Sequence, residues 1–175
     1  MIAGKRRGTI LAVDPGFGRV GLAVMKLEQD GPKLLFSQCL ETNPKKARAE
    51  RLLVIGRAVK NVIKKWKPTT LAIETLFFNT NTTSAIGVAE AKGIIIYEAM
   101  NAHMEIFEYG PQTIKIAVTG YGRADKIQMA NMVKKLANLP KKTSKRLDDE
   151  VDAIALGITH LATRHDLGGY KKLAS

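Results

Sequence analysis

Two short runs, TILAVD ending at Asp14 and TLAIE ending at Glu74, restrict the fold of this chain more than any other feature. After the leading Thr, each is apolar up to its terminal acid. A strand that faces water on one side alternates polar and apolar residues, whereas a run without alternation has to be covered on both faces. Such strands belong in the middle of a sheet flanked by helices. Both runs also end on a carboxylate, and open α/β sheets place their ligands at the C-terminal ends of their strands.

The remaining elements fit around these two. Apolar runs at residues 8–14, 19–27 and 33–40 are separated by the turn formers Pro15, Gly16, Gly18, Gly31 and Pro32, which predicts an antiparallel three-strand meander. Asn43 and Pro44 predict an N-cap and first-turn proline, and Leu52, Ile55, Val59, Val62, Ile63 and Trp66 recur at helical spacing until Pro68 ends the helix. The strand 70–74 follows, then a polar loop at 79–83, a helix over 84–101, a strand over 104–109 and helices over 123–137 and 147–163. The small residues Ala85, Gly87, Ala89, Ala91, Gly93 and Ala99 of the second helix would allow another element to approach closely. Strands that alternate with helices after a meander imply a mixed sheet whose later strands join by right-handed crossovers. A chain of 175 residues that is 45% hydrophobic can build one core, so a single domain is expected, with a mobile basic tail after residue 168.

Charge narrows the partner. With 28 Lys and Arg against 16 Asp and Glu, the net charge is +12 and the sequence pI is about 9.9. Cations that neutralise phosphates release counterions and bind polyanions without reading sequence, which favours nucleic acid over a small metabolite. No segment approaches about 18 consecutive apolar residues, and Asp14 interrupts the basic start too early for a signal peptide, so no membrane association is expected and the protein should be cytoplasmic. The single cysteine, Cys39, agrees with a reducing compartment and reads as a core residue.

Carboxylates concentrated at strand ends in so basic a chain call for a cation, because grouped acids repel one another and lose hydration. Asp149 and Asp152, spaced i, i+3 on the last helix, share one face and could point at the sheet ends, where Asp14 and Glu74 would meet if the first and fourth strands are neighbours. A hard divalent ion such as Mg²⁺ takes oxygen ligands, keeps several waters and accepts substrate phosphate in its shell. Asp148 and Glu150 flank the pair at angles that turn them to solvent or to the helix N-terminus. His160 lies about 12 Å along the helix from Asp152, beyond ligand reach.

With these acids in place, the segments LAVDPGFGRVGLAV, LAIETLFFNTNTTSAIGVAEAKG, IFEYGPQTIKIAVTGYGRADKIQMANMV and DDEVDAIALGITH resemble the RuvC-type Holliday junction resolvases of the RNase H-like superfamily. The match spans residues 8 to 165. The resemblance implies an RNase H-like mixed five-stranded sheet, with a three-strand antiparallel meander and two parallel strands, flanked by helices. It implies a homodimer that binds a four-way DNA junction and makes paired symmetric nicks, leaving 5′-phosphate and 3′-hydroxyl ends. It also allows a branch-migration motor as a partner. By position it makes Asp14, Glu74, Asp149 and Asp152 the catalytic, metal-binding acids, holding two Mg²⁺ ions with Mn²⁺ as a substitute and Asp14 as the bridging ligand. Lys115 and Lys126 fall at positions that hold the scissile strand. Phe77, assisted by Phe78, falls where the family contacts bases near the crossover. Val20 departs from the pattern, since many members carry Thr there.

Plainer readings stand beside these. Asp14 alone before Pro15-Gly16 would be a turn former, Asp149 alone a helix-start charge, Phe77 a packed core residue, and Lys115 and Lys126 ordinary solvated lysines. Lys45, Lys46, Arg48 and Arg51 read as a solvated helix face. Two other functions compete: a RuvC-like nuclease acting on structured RNA, and a catalytically silent junction-binding protein. The complete set of acids counts against the silent binder, and GYGRADK with the Phe pair after Glu74 favours the junction nuclease. An actin-like ATPase also begins with an Asp-x-Gly hairpin, but 175 residues cannot hold its two lobes.

Overall fold

The computed structural model describes residues 8–76, 82–137, 139 and 147–166. Its five strands are β1 (Ile10–Asp14), β2 (Arg19–Glu28), β3 (Gly31–Glu41), β4 (Thr70–Glu74) and β5 (Glu105–Tyr109). Its helices are α1 (Arg48–Trp66), α2 (Thr82–Asn101), α3 (Pro111–Thr119), α4 (Lys126–Leu136) and α5 (Asp148–Asp166). The sheet runs in the order β3-β2-β1-β4-β5. β1 pairs antiparallel with β2, and β2 with β3, while β1–β4 and β4–β5 are parallel. The mixed sheet expected from the sequence is therefore present, with the two apolar runs adjacent at its centre.

Strand alternation divides the core into two layers. Leu11, Val13, Leu22, Val24, Leu71 and Ile73 face α1 and α2, where they meet Ile55, Val59, Ala91 and Ile95. Ile10, Ala12, Ala23, Met25 and Ala72 face the other way, against Ile154 and Leu156 of α5 and Ile114, Val118, Met129 and Val133 of α3 and α4. This second layer has small residues where the first has large ones, and that difference lets α5 sit low on the sheet. A β-carbon on Gly157 would lie 3.4 Å from that of Ala12, and one on Gly21 3.2 Å from that of Ala153. Residues 153–161 of α5 are all buried, so this helix is enclosed on every side. Each large side chain it buries stabilises the fold by roughly 1.5–3 kcal/mol.

Local structure departs from expectation at three places. Asn43 and Pro44 do not start α1: the Asn43 side-chain oxygen accepts from Lys45 N at 2.9 Å, forming a separate turn. The helix begins at Arg48, where the Glu50 carboxylate accepts the Ala47 N–H at 3.1 Å. Short polar side chains cap whichever turn is nearest, and here the chain needs an extra turn between β3 and α1. Helix α3 was not anticipated, although its signals are present: Pro111 opens it and Gly120, with φ of 74°, closes it. Glu150 faces neither solvent nor the helix end. It is buried, and Ser37 Oγ donates to its carboxylate at 2.6 Å. The α4 start agrees better, with Asp125 and Gln128 forming a reciprocal cap.

Phe77, Phe78, residues 140–146 and the tail after residue 168 lie outside the described residues. No helix among the described residues is long and apolar enough to cross a membrane.

The contact of Gly21 with α5 leaves no room for a side chain, since an added β-carbon would fall 1.8 Å from the backbone oxygen of Asp149. Gly21→Ala is expected to destabilise the protein by about 1–3 kcal/mol, as overpacking against rigid backbone does. The shift of its denaturant midpoint measures this, and an unchanged midpoint would mean that α5 can move away freely.

Candidate active site at the end of the sheet

The period of two that builds the α5-facing layer also aims its last residues. Asp14 continues the series Ile10, Ala12, and Glu74 follows Ala72, so both carboxylates emerge on the side covered by α5. The parallel register brings the two strand ends level, with Val13 opposite Ile73. The turn after Asp14 is tight, because a β-carbon on Gly16 would lie 2.0 Å from the Arg19 carbonyl oxygen. From the other side, the approach of α5 to Gly21 delivers Asp149 and Asp152 to the same end of the sheet.

The other three acids all act on the charge of Asp14. Burial, followed by the charges of Glu74, Asp152 and Asp149, pushes the Asp14 carboxyl up to about 8. Asp14 and Glu74 also share a hydrogen bond that holds the proton on Asp14 and so opposes the rise at Glu74. Glu74 is nevertheless raised, chiefly by burial, with Asp152 adding to the rise and the Lys92 ammonium opposing it. Asp152 is raised by burial and by Asp149 and Asp148, against Lys126. Among the described residues no three acid, His or Cys side chains close on one point tightly enough to cage an ion by themselves.

Two bases border the acids, Lys126 and Arg19, while Lys115 belongs to α3. Lys126 starts α4, and its exposed ammonium lies 3.5 Å from an oxygen of Asp148, which is itself turned to solvent. Lys115 sits half-buried on α3, whose last turn is tied to the following loop by Thr119, donating to Lys115 O at 2.8 Å and Tyr121 O at 3.0 Å. Arg19 was not singled out from the sequence. It opens β2 on the α5 side, with Nε 3.1 Å from Asp149 Oδ2. Its signal was available, because residues 19, 21, 23 and 25 share one face of the strand.

Cys39 is not a core residue. It is half-buried opposite Gly21, with its sulfur 3.9 Å from Asp149 Oδ2, and burial together with Asp149 pushes its thiol up to about 11. A thiol so reluctant to ionise is a poor nucleophile and a poor metal ligand. His160 is enclosed, sharing a 2.8 Å hydrogen bond with the Tyr109 hydroxyl and packing against Phe107, which makes it a structural partner of β5. Arg51 is not a freely solvated face residue either. Its guanidinium lies 3.9 Å over the Phe17 ring and donates to Thr42, bracing the turn after Asp14. Arg48 pairs with Glu90 and Lys46 with Glu50.

Comparison with known proteins gives the family of the chain. The family model for crossover junction endodeoxyribonuclease RuvC matches residues 10–160. The crossover junction endodeoxyribonuclease RuvC of Alkaliphilus oremlandii is 42% identical over 154 residues, covering 88% of this chain and 93% of that protein. That of Alkaliphilus metalliredigens is 38% identical over 156 residues, covering 89% and 94%. Among solved structures, Thermus thermophilus RuvC in complex with a Holliday junction substrate superposes with a TM-score of 0.83 at 29% identity, covering 91% of this chain and 96% of that one. The yeast mitochondrial Holliday junction resolvase Ydc2 superposes with a TM-score of 0.65 over 93% of this chain and 82% of that one, but at 13% identity it speaks for the fold alone. Matched over all five strands, helices α1 to α4 and most of α5, the chain belongs to the RuvC family of crossover junction endodeoxyribonucleases.

Proposed function

We propose that this protein is a Holliday junction resolvase, a metal-dependent endonuclease that makes paired symmetric nicks in four-way DNA junctions during recombination and repair. The observation that carries the reading is the crowding of Glu74, Asp149 and Asp152 around the half-buried carboxyl of Asp14. The family supplies the substrate, since the relatives are crossover junction endodeoxyribonucleases and one structural neighbour holds a Holliday junction.

A divalent cation fits this donor set. Four carboxylates are hard oxygen ligands, and burial together with their mutual repulsion leaves Asp14 holding a proton to about pH 8 when no cation offsets it. A hard divalent ion keeps waters in its shell and accepts phosphate oxygens beside such carboxylates. Asp14, Glu74, Asp149 and Asp152 would hold two Mg²⁺ ions, with Mn²⁺ as a substitute, and the bound metals supply Lewis-acid polarisation of the phosphate and acidify a water. Asp14, central to the cluster, would take part in holding both ions. Lys126 and Lys115 offset phosphate charge on the scissile strand, and Phe77 with Phe78 contacts bases at the crossover. The nick leaves 5′-phosphate and 3′-hydroxyl ends.

Symmetric nicks require two sites, and the functional unit is a homodimer of one nuclease domain per chain. Its core spans residues 8–165, and the basic tail follows residue 168. Helix α2 offers an outward apolar stripe, with Ile86, Tyr97 and Met100 exposed by 56%, 63% and 58%, alongside Gly93, whose added β-carbon would meet no atom within 4 Å. Such a stripe suits a self-complementary two-fold contact. The protein works in the cytoplasm on chromosomal DNA, where a branch-migration motor is a candidate partner.

The decisive assay incubates the protein with an end-labelled four-way junction and a matched duplex, in Mg²⁺ and in Ca²⁺. Symmetric nicks on the junction in Mg²⁺ alone are expected, with Asp14→Asn losing at least about 100-fold in rate while still binding the junction. Equal cutting of the duplex would defeat junction selectivity, and tight binding without nicks would make the protein a silent binder.

The acid cluster has a thermodynamic signature in the metal-free protein. Asp14 releases its proton near 3.8 when unfolded but near 8 when folded, so the folded state binds more protons between these values. Stability in EDTA is therefore expected to fall as pH rises from about 4 to 8, measured by thermal unfolding. Asp14→Asn should flatten that decline and exceed the parent protein in stability at pH 8.

For the dimer, Tyr97→Glu is expected to convert the protein to monomers in sedimentation velocity. Coupled nicks on a junction should become single, uncoordinated ones. A variant that sediments as a dimer would move the interface elsewhere.

A further inference from the structure

Among the described residues, Asp149 differs from the other three acids in having a cation already in contact with it. Arg19 Nε lies 3.1 Å from its Oδ2, and the Cys39 sulfur lies 3.9 Å from the same oxygen. Both contacts use Oδ2, so Oδ1 is the oxygen they leave to a further ligand. The arrangement follows from strand register: Gly21 pairs with Cys39, Arg19 lies two residues before Gly21 on the same face, and Gly21 is the point where α5 touches the sheet. Register alone would set Arg19 opposite Glu41, yet its guanidinium turns across the sheet end to α5.

An ion pair with side-chain exposures of 52% and 22% adds little to folding. Its effect on the geometry of a ligand is larger. Groups that hydrogen-bond a metal-ligating side chain fix its orientation, and their loss typically weakens metal binding by about 10–100-fold. A guanidinium is suited to that task because it is always charged and its planar donors resist reorientation.

We propose that Arg19 is a positioning residue of the metal site: by holding Oδ2 of Asp149 it fixes that carboxylate with Oδ1 left to ligate a divalent cation. The inference rests on the reading of the four acids as a metal site and adds to it a member from β2. Arg19 acts through Asp149 and touches neither metal nor phosphate in this role.

The test measures metal binding in the absence of DNA, so that it does not depend on cleavage. Mn²⁺ is titrated into the metal-free protein and free Mn²⁺ is followed by its paramagnetic resonance signal, for the parent chain, Arg19→Ala, Arg19→Lys and Asp14→Asn. Arg19→Ala is expected to raise the Mn²⁺ dissociation constant about tenfold. Arg19→Lys should fall in between, since it keeps the charge without the planar fork. If Arg19→Ala does not fold, Arg19→Gln, a neutral amide of shorter reach, replaces it with the same expectation. Unchanged binding in the Arg19 variants would overturn the proposal, and tighter binding would overturn it by showing that Arg19 competes with the metal. Asp14→Asn separates the two levels of argument. Its loss of binding supports the four-acid site whatever Arg19 does, whereas binding equal to that of the parent would remove the site and the role of Arg19 with it.

Discussion

The close approach of α5 to the sheet is the constraint on which the rest of this structure depends. It exists because one face of the central strands carries Ala12, Ala23, Ala72 and Gly21 where the other carries Leu, Val and Ile. Small residues across from Ala153 and Gly157 remove the spacing that side chains normally impose between a helix and a sheet. The helix is then enclosed by α3 and α4 as well, so its N-terminal turn has little freedom to move. Asp149 and Asp152 are held at the end of β1 and β4 by packing many residues away from them.

That packing opposes electrostatics locally. Bringing acids together in a half-buried cleft pushes Asp14 up to about 8 and raises Glu74 and Asp152 with it. The protein meets the repulsion with nearby cations: Lys92 acts on Glu74, Lys126 on Asp152, and Arg19 holds Asp149. A chain with a net charge of +12 can supply such counter-charges, and the excess remains for a polyanion. The same composition that favours a nucleic acid partner also makes an acidic pocket tolerable before a metal ion enters.

Much of this was legible in the residues. The unalternating runs ending at Asp14 and Glu74 read as central strands, and the turn formers between residues 14 and 33 read as a meander, because both signals are local. The i, i+3 spacing of Asp149 and Asp152 read as one helical face for the same reason. Asn43 misled, since an Asx turn and an N-cap use the same side chain and the same bond, and only the path from β3 to α1 selects between them. Glu150 misled because helix geometry gives the angle of a side chain but not what stands there. Ser37 of β3 stands there, more than a hundred residues away in the chain.

By itself the sequence determined which segments become strands and helices, which strands are buried on both faces, and which acids end them. These follow from short-range periodicity and turn chemistry. The tertiary structure alone decided that Asp14, Glu74, Asp149 and Asp152 share one cleft, that Glu150 is buried, and that Arg19 and Cys39 border the site. Those outcomes depend on strand order, register and the depth at which α5 packs, which are set by contacts between residues distant in the chain. No local pattern encodes a distance between two elements, and here the atoms that fix it are β-carbons absent from Gly21 and Gly157.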